Sequence, residues 1–142
     1  MLSLCAAKGD KIVTTHRVRA TKVVLDTIEE YMLPPRGHVV LHWFTGTAAE
    51  AKRAVDLGCY FSVNAEMLIN EKGATITKTK TLPLDRVLTE TDGPFTKTDS
   101  RPTKPSDVWI AMGGLAHLHR IAPANISAKI KQNPKDLLAK QS

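Results

Sequence analysis

Three side chains that commonly bind divalent metals each close a run of β-branched residues and leucine. They are His16, His42 and Asp92, and a break at Gly or Pro follows the last two. Alternation along a strand would place Glu90 on the same face as Asp92. Two histidines and one carboxylate suit Zn, Mn or Mg and leave positions open for a substrate. The alternative interpretation is structural, because a single histidine at a strand end is more often a core residue than a ligand.

A repeat of strands and helices is predicted to position these residues. Predicted strands begin near residues 12, 38, 59 and 86 and end at His16, His42, Asn64 and Asp92. Apolar spacing predicts a helix over 18–32, and the Thr47–Glu50 capping box predicts another over 48–58. Residues 65–80 are predicted to be a loop with one or two helical turns. Four such units of similar length predict an α/β fold with a parallel sheet.

The chain ends are predicted to be mainly helical. Residues 1–7 resemble the last turns of a helix that Gly9 ends, without a capping residue at its start. A basic loop follows Pro94, and a helix is predicted from Pro105 to residue 121, weakened at Gly113 and Gly114. Residues 123–140 are predicted to form one or two short helices interrupted at Pro134.

Composition limits the class of protein. A chain of 142 residues is predicted to be one domain, and its net charge of +6 suits a polyanionic partner such as nucleic acid, although many soluble proteins are equally basic. No apolar run approaches the roughly 20 residues of a membrane span, and no signal peptide is visible. Cys5 and Cys59 form no CxxC pair, so we expect reduced thiols and a cytoplasmic location.

Two motifs resemble those of the TatD family of metal-dependent deoxyribonucleases. The segment His-Trp-Phe-Thr-Gly at 42–46 resembles the family motif His-x-Phe-Ser/Thr-Gly. The segment Leu-Pro-Leu-Asp-Arg-Val-Leu-Thr-Glu-Thr-Asp-Gly-Pro at 82–94 resembles its last-strand motif, and Ile-Val-Thr-Thr-His-Arg at 12–17 resembles an earlier histidine strand. The anti-phage-associated branch of the family looks most similar.

The resemblance implies the C-terminal half of a TIM-like (β/α)8 barrel, with strands five to eight and the closing helices. It implies hydrolysis of phosphodiester bonds in DNA with two divalent ions, Mg, Mn or Zn. His16 and His42 would hold one ion, and Asp92 would hold the other and orient or deprotonate the attacking water.

Further roles follow from the same resemblance and from the predicted strand faces. Glu90 and Asn64 would orient metal ligands as outer-shell residues. The alternative for Glu90 is a solvated or core-paired carboxylate. Lys97, Arg101 and Lys104 would bind backbone phosphates, or form an ordinary exposed charged loop.

The chain departs from the family pattern in two ligands. Family members carry His-x-His on a first strand and Glu on a fourth, and neither is present here. The pair His117 and His119 is no substitute, because residues two apart on a helix point in nearly opposite directions. We therefore expect that the chain starts in the helix before the fifth strand of the family barrel. Whether the chain is active on its own is left open by the sequence. Two alternatives are a non-catalytic remnant that pairs with another chain through open sheet edges, and a barrel hydrolase acting on amide or lactone bonds.

Overall fold

Four parallel strands form the sheet of the computed structural model, which describes residues 1–16, 20–34, 36–69 and 80–140. They are β1 (Lys11–His16), β2 (Gly37–His42), β3 (Tyr60–Val63) and β4 (Val87–Thr89), and they lie side by side in chain order. The predicted α/β class and parallel sheet are confirmed. Because the strands are parallel, their carboxyl ends meet at one edge, where His16 is paired with His42.

Six α-helices in the described residues surround the sheet. They are α1 (Leu2–Lys8), α2 (Thr21–Tyr31), α3 (Ala48–Asp56), α4 (Ala65–Ile69), α5 (Val108–His119) and α6 (Pro123–Ala139). The predicted capping box is present: the Thr47 hydroxyl accepts from the Glu50 N–H, and the Glu50 carboxylate accepts from the Thr47 N–H. It satisfies two backbone donors at the start of α3. The predicted extension of α2 to residue 18 lies outside the described residues, as do residues 70–79 of the ambiguous segment.

The core lies mainly between the sheet and the helices packed on its outer face. Leu25 of α2, Leu41 of β2 and Phe61 of β3 are fully buried there. On the opposite face, Val40 and Tyr60 pack against Leu137 of α6. Burial on both faces explains why β2 is apolar over nearly its whole length. This packing fixes the strand ends that carry the candidate ligands.

The predicted fourth strand is too long. Strand β4 ends at Thr89, a 3-10 turn (Leu84–Arg86) precedes it, and Asp92 lies in the turn that follows. The Glu90 N–H still donates to the Val63 carbonyl, at 3.0 Å, so pairing with β3 extends one residue past the strand. Asp92 therefore reaches the sheet edge through a turn and not through strand alternation.

Helix α6 also differs from the prediction, because it continues through Pro134 as one helix of 17 residues. Proline removes one helical N–H donor and crowds the preceding turn. Ile130, Asn133 and Leu137 are buried on either side of the proline, and their packing holds the helix together. The prediction of an interruption at Pro134 is wrong.

The basic segment after Pro94 contains more structure than the predicted loop. Strands β5 (Lys97–Thr98) and β6 (Arg101–Pro102) form a short antiparallel hairpin. A 3-10 turn (Pro105–Asp107) then leads into α5, so the α-helix proper begins three residues after Pro105. None of the helices in the described part of the chain is long and apolar enough to cross a membrane.

The two glycines of α5 give a first prediction. A Cβ on Gly113 would meet no atom within 4 Å, whereas a Cβ on Gly114 would come within 2.8 Å of the Leu68 side chain. Gly113→Ala is expected to raise the free energy of unfolding by about 0.5–1 kcal/mol, because alanine loses less backbone entropy in a helix. Gly114→Ala should show no such gain. Urea denaturation of both variants measures the difference, and equal gains would contradict the packing of α4 on α5.

Candidate functional site

The imidazole of His42, at the end of β2, lies between two carboxylates. Its Nδ1 is 2.6 Å from Oε2 of Glu90, and its Nε2 is 3.2 Å from Oδ1 of Asp92. The three side chains are each less than one-fifth exposed. Residues 48 positions apart in the sequence therefore form one polar cluster at the carboxyl edge of the sheet.

This arrangement suits a cation. If Nδ1 donates its proton to Glu90, Nε2 presents a lone pair toward the Asp92 oxygen. Two acceptors facing each other at 3.2 Å repel unless a proton or a metal ion lies near both. The 3.2 Å separation suits two states: a hydrogen bond from a protonated imidazole to the carboxylate, and two unprotonated donors that face a metal ion.

His16 lies beside this cluster. It is paired with His42 in the sheet register, and the two ring centroids are 5.1 Å apart. The structure thus places His16 beside His42, and His42 beside Asp92, while the metal-ligand roles of the three side chains stay a prediction. Within the described ranges, however, no three His, Cys, Asp or Glu side chains converge closely enough to form a complete metal site. The chain provides a pair of donors 3.2 Å apart, with a second imidazole, that of His16, beside them.

The backbone adopts left-handed φ values at two positions in or next to the cluster. Trp43, directly after His42, has φ of 47°, and Asp92 has φ of 52°. Such values are uncommon for residues other than glycine, and they are concentrated at functional sites where the surrounding structure enforces them. Here the Asp92 carbonyl accepts from the N–H groups of Phe95 and Thr96, which closes the turn.

Gly93 allows the hairpin to pack against this turn. A Cβ at Gly93 would lie 2.0 Å from the Thr103 carbonyl oxygen, so only glycine fits there. The Thr103 N–H also donates to the Thr96 carbonyl, at 3.0 Å. The hairpin β5–β6 is consequently fixed directly beside Asp92.

Ser62 is an additional polar neighbour. Its hydroxyl oxygen is 3.4 Å from His42 Nδ1, the nitrogen that also contacts Glu90. The sequence places Ser62 on the same strand face as Asn64, but no motif assigned Ser62 a role. The second oxygen of Glu90, Oε1, is buried with no hydrogen-bond partner among the described residues. A buried acceptor of this kind calls for a water or an ion in the site.

Asn64 contributes to helix α4. Its side chain is fully buried, and its Oδ1 accepts from the Met67 N–H at 3.1 Å. This bond is a helix cap, which explains why a polar residue stands at the end of β3. Its Nδ2 has no partner among the described residues. An outer-shell role for Asn64 stays a prediction.

The three basic residues predicted to bind phosphate have different environments. Lys97 and Lys104 are exposed. Arg101 donates from Nη1 and Nη2 to both oxygens of Asp107, at 2.7 and 3.0 Å. These bonds, together with the Lys104 N–H, lower the pKa of Asp107 to about 2. The guanidinium of Arg101 is thus used to hold the hairpin, and Lys97 is the better placed candidate for a phosphate.

The chain is similar in sequence to known proteins. The family model described as TatD-related DNase matches residues 3–139. The deoxyribonuclease Tat-D of Schizosaccharomyces pombe is 36% identical over 82 residues, which cover 56% of this chain and 25% of that protein.

Two solved structures share the fold. The TatD homologue YJJV of Escherichia coli K12 superimposes with a TM-score of 0.83 and 26% identity, covering 96% of this chain and 52% of that one. A TatD family hydrolase from Entamoeba histolytica gives 0.76 at 16% identity, covering 89% and 50%. The chain therefore spans about half the length of the solved relatives that it matches.

Proposed function

The chain belongs to the TatD-related DNase family, and from that premise we propose that it takes part in metal-dependent hydrolysis of phosphodiester bonds in DNA. One observation supports this proposal above the others. His42 Nε2 and Asp92 Oδ1 lie 3.2 Å apart at the carboxyl edge of a parallel sheet, with Glu90 fixed on the opposite side of the ring. Active sites of (β/α)8 enzymes are built at that edge.

We assign the metal ligands as follows. His16 and His42 would hold one divalent ion, and Asp92 would hold its neighbour, the ions being Mg, Mn or Zn. Ions of a two-metal site lie about 3.5–4 Å apart, so ligands of adjacent ions can approach as closely as His42 and Asp92 do. Bound ions would lower the pKa of a coordinated water and neutralise charge on the phosphoryl oxygens.

The side chains themselves would orient the reactants. Glu90, whose Oε2 lies 2.6 Å from His42 Nδ1, would accept the Nδ1 proton, fix the tautomer and leave Nε2 as a ligand. Asp92, with a carboxylate at the mouth of the site, would orient the attacking water and accept its proton. Ser62 would help to hold the His42 ring, because its hydroxyl oxygen lies 3.4 Å from Nδ1.

The hairpin would guide the substrate strand. Lys97 is exposed on the hairpin and Lys104 is exposed two residues after it, and each would contact a backbone phosphate. The net charge of +6 favours the approach of a polyanion. Arg101 would act indirectly, because its bonds to Asp107 hold the hairpin in place.

The remaining ligands of a family site would come from further polypeptide. Within the described residues, β1 pairs only with β2, and β4 pairs only with β3, so both outer strands have an open side. We propose that strands of another chain or segment pair there and supply His-x-His and Glu. A cytoplasmic location, suggested by the free Cys5 and Cys59, also stays a prediction.

The role of Glu90 provides the test. Glu90→Gln is expected to reduce metal affinity or metal-dependent hydrolysis by about 10- to 100-fold, the usual effect of losing an outer-shell carboxylate. Calorimetry with Mn²⁺ and Zn²⁺, and assays with DNA and bis-p-nitrophenyl phosphate, measure the two quantities. Glu30→Gln, at an exposed position of α2, is the matched control. Metal binding by Glu90→Gln that equals that of the control would contradict the assignment.

A further inference from the structure

A cleft of about 560 Å³ opens between the first turns of α4 and α5 and the hairpin β5–β6. Ligand clefts in proteins typically measure about 300–1,000 Å³, so this volume is ample for a nucleoside. The residues that line it and that the inference uses are Ala65, Glu66, Lys97, Asp99, Trp109 and Ile110. The proposed reaction does not use this cleft.

The cleft shares part of its lining with a second cavity that reaches Glu90. This narrow cavity shares Glu66 and Lys97 with the cleft and extends to Glu90 and Thr91. Glu90 contacts His42, so the narrow cavity leads from the cleft toward the candidate site.

Trp109 gives the cleft its chemistry. It lies in the first turn of α5 and is 65% exposed, which is unusual for the largest apolar side chain. Stacking on an exposed aromatic ring is the sequence-independent way in which proteins hold unpaired bases. Ile110 and Ala65 extend the apolar wall.

The hairpin that lines the cleft is preorganised. Asp99 and Ser100 form a turn with φ of 49° and 64°, the left-handed values of a tight two-residue hairpin. The bonds between Arg101 and Asp107 close the base of the hairpin. The Thr98 and Thr103 hydroxyls, 3.1 Å apart, join its two strands. A rigid wall lowers the entropy cost of binding a ligand.

The charges favour a base in the cleft and a phosphate outside it. Glu66 and Asp99 place exposed carboxylates on the lining, and these repel a phosphate but accept hydrogen bonds from the amino groups of bases. Lys97 is exposed at the side shared with the narrow cavity, toward Glu90. A strand could thus place a base on Trp109 while its phosphate contacts Lys97.

We infer that this cleft is a nucleobase subsite, in which Trp109 stacks on the base of a nucleotide that neighbours the phosphodiester at the His42–Asp92 pair. Its position relative to the reacting bond rests on the proposed function. Binding of the base does not, because it needs neither a metal ion nor turnover.

Tryptophan fluorescence in EDTA tests the inference directly. The chain has two tryptophans, Trp43 and Trp109, so each of the variants Trp43→Phe and Trp109→Phe reports on one of them. Deoxyadenosine 5′-monophosphate is expected to quench Trp109 in the Trp43→Phe variant, whereas 2-deoxyribose 5-phosphate, which has no base, should leave it unchanged. If Trp43→Phe does not fold by circular dichroism, the difference between the unmodified chain and Trp109→Phe gives the same signal.

Oligonucleotide binding measures how much Trp109 contributes to affinity. Trp109→Ala is expected to weaken binding of a fluorescein-labelled (dA)8 by roughly 5- to 100-fold, and Trp109→Phe should retain most of the affinity. An (dA)8 with one abasic position should lose affinity for the unmodified chain but not for Trp109→Ala. Equal quenching by the sugar phosphate and the nucleotide would overturn the inference in favour of an anion site. Equal affinity of Trp109→Ala and the unmodified chain for (dA)8 would overturn it outright.

The metal assignment and the base subsite can be refuted independently of each other. If Asp92→Asn retains metal binding while deoxyadenosine monophosphate still quenches Trp109, the base subsite stands without the metal assignment. Loss of quenching in a chain that binds metal through His42 and Asp92 would refute the subsite alone.

Discussion

Replacing Asp92 with asparagine is expected to lower metal-dependent phosphodiester hydrolysis by more than about 100-fold. Loss of an outer-shell partner already costs about 10- to 100-fold, and Asp92 has the more direct role. Its Oδ1 lies 3.2 Å from His42 Nε2, so both the charge that would balance a divalent ion and the proposed proton acceptor are lost. Hydrolysis of DNA and of bis-p-nitrophenyl phosphate, with Mg²⁺, Mn²⁺ or Zn²⁺ and with EDTA, provides the measurement.

Asp136→Asn is the matched control for this substitution. Asp136 is exposed on α6, where it accepts a hydrogen bond from Gln132, and it lies at no candidate site. The control should keep the activity of the unmodified chain. Hydrolysis that persists undiminished in Asp92→Asn, or that falls equally in both variants, would refute the role of Asp92.

Replacing Asn133 with alanine is expected to lower the free energy of unfolding by about 2–5 kcal/mol. Asn133 is 1% exposed, and its amide nitrogen donates to the carbonyls of Leu84 and Val87, at 2.7 and 2.6 Å. The substitution leaves two buried carbonyls without their donor and opens a cavity. Since natural domains are stable by only about 5–15 kcal/mol, the loss is a large fraction of the total.

Gln132→Ala separates this effect from a general weakening of α6. Gln132 precedes Asn133 on the exposed face, so its loss should change stability by no more than about 0.5 kcal/mol. Urea denaturation followed by circular dichroism compares the two variants. Similar stabilities would mean that α6 is not anchored to the segment that leads into β4 and the Asp92 turn.

Much of the sheet could be predicted from local patterns. Runs of β-branched residues ending at His16 and His42 gave the parallel strands β1 and β2 almost to the residue. The Thr47–Glu50 box gave the start of α3, because a capping box depends on side chains only three residues apart. The proximity of His42 and Asp92 followed from the rule that parallel strands end at one edge.

The features that sequence reasoning missed depend on tertiary contacts that local sequence patterns do not indicate. Alternation predicted that Asp92 continues β4, but the turn is set by its packing against Thr103, which no local pattern reveals. Pro134 normally ends a helix, yet buried side chains on both sides of it hold α6 together. The sequence did not indicate the contact of Arg101 with Asp107, which forms with the hairpin, and the phosphate role of Arg101 stays a prediction.

Isothermal titration calorimetry with Mn²⁺ and Zn²⁺ tests the central claim most directly, because it asks whether His16, His42 and Asp92 bind a divalent ion. We predict that the unmodified chain binds metal and that His42→Ala and Asp92→Asn each weaken binding by at least about 10-fold, while Asp136→Asn does not. Metal affinity that is the same in all four proteins would contradict the account.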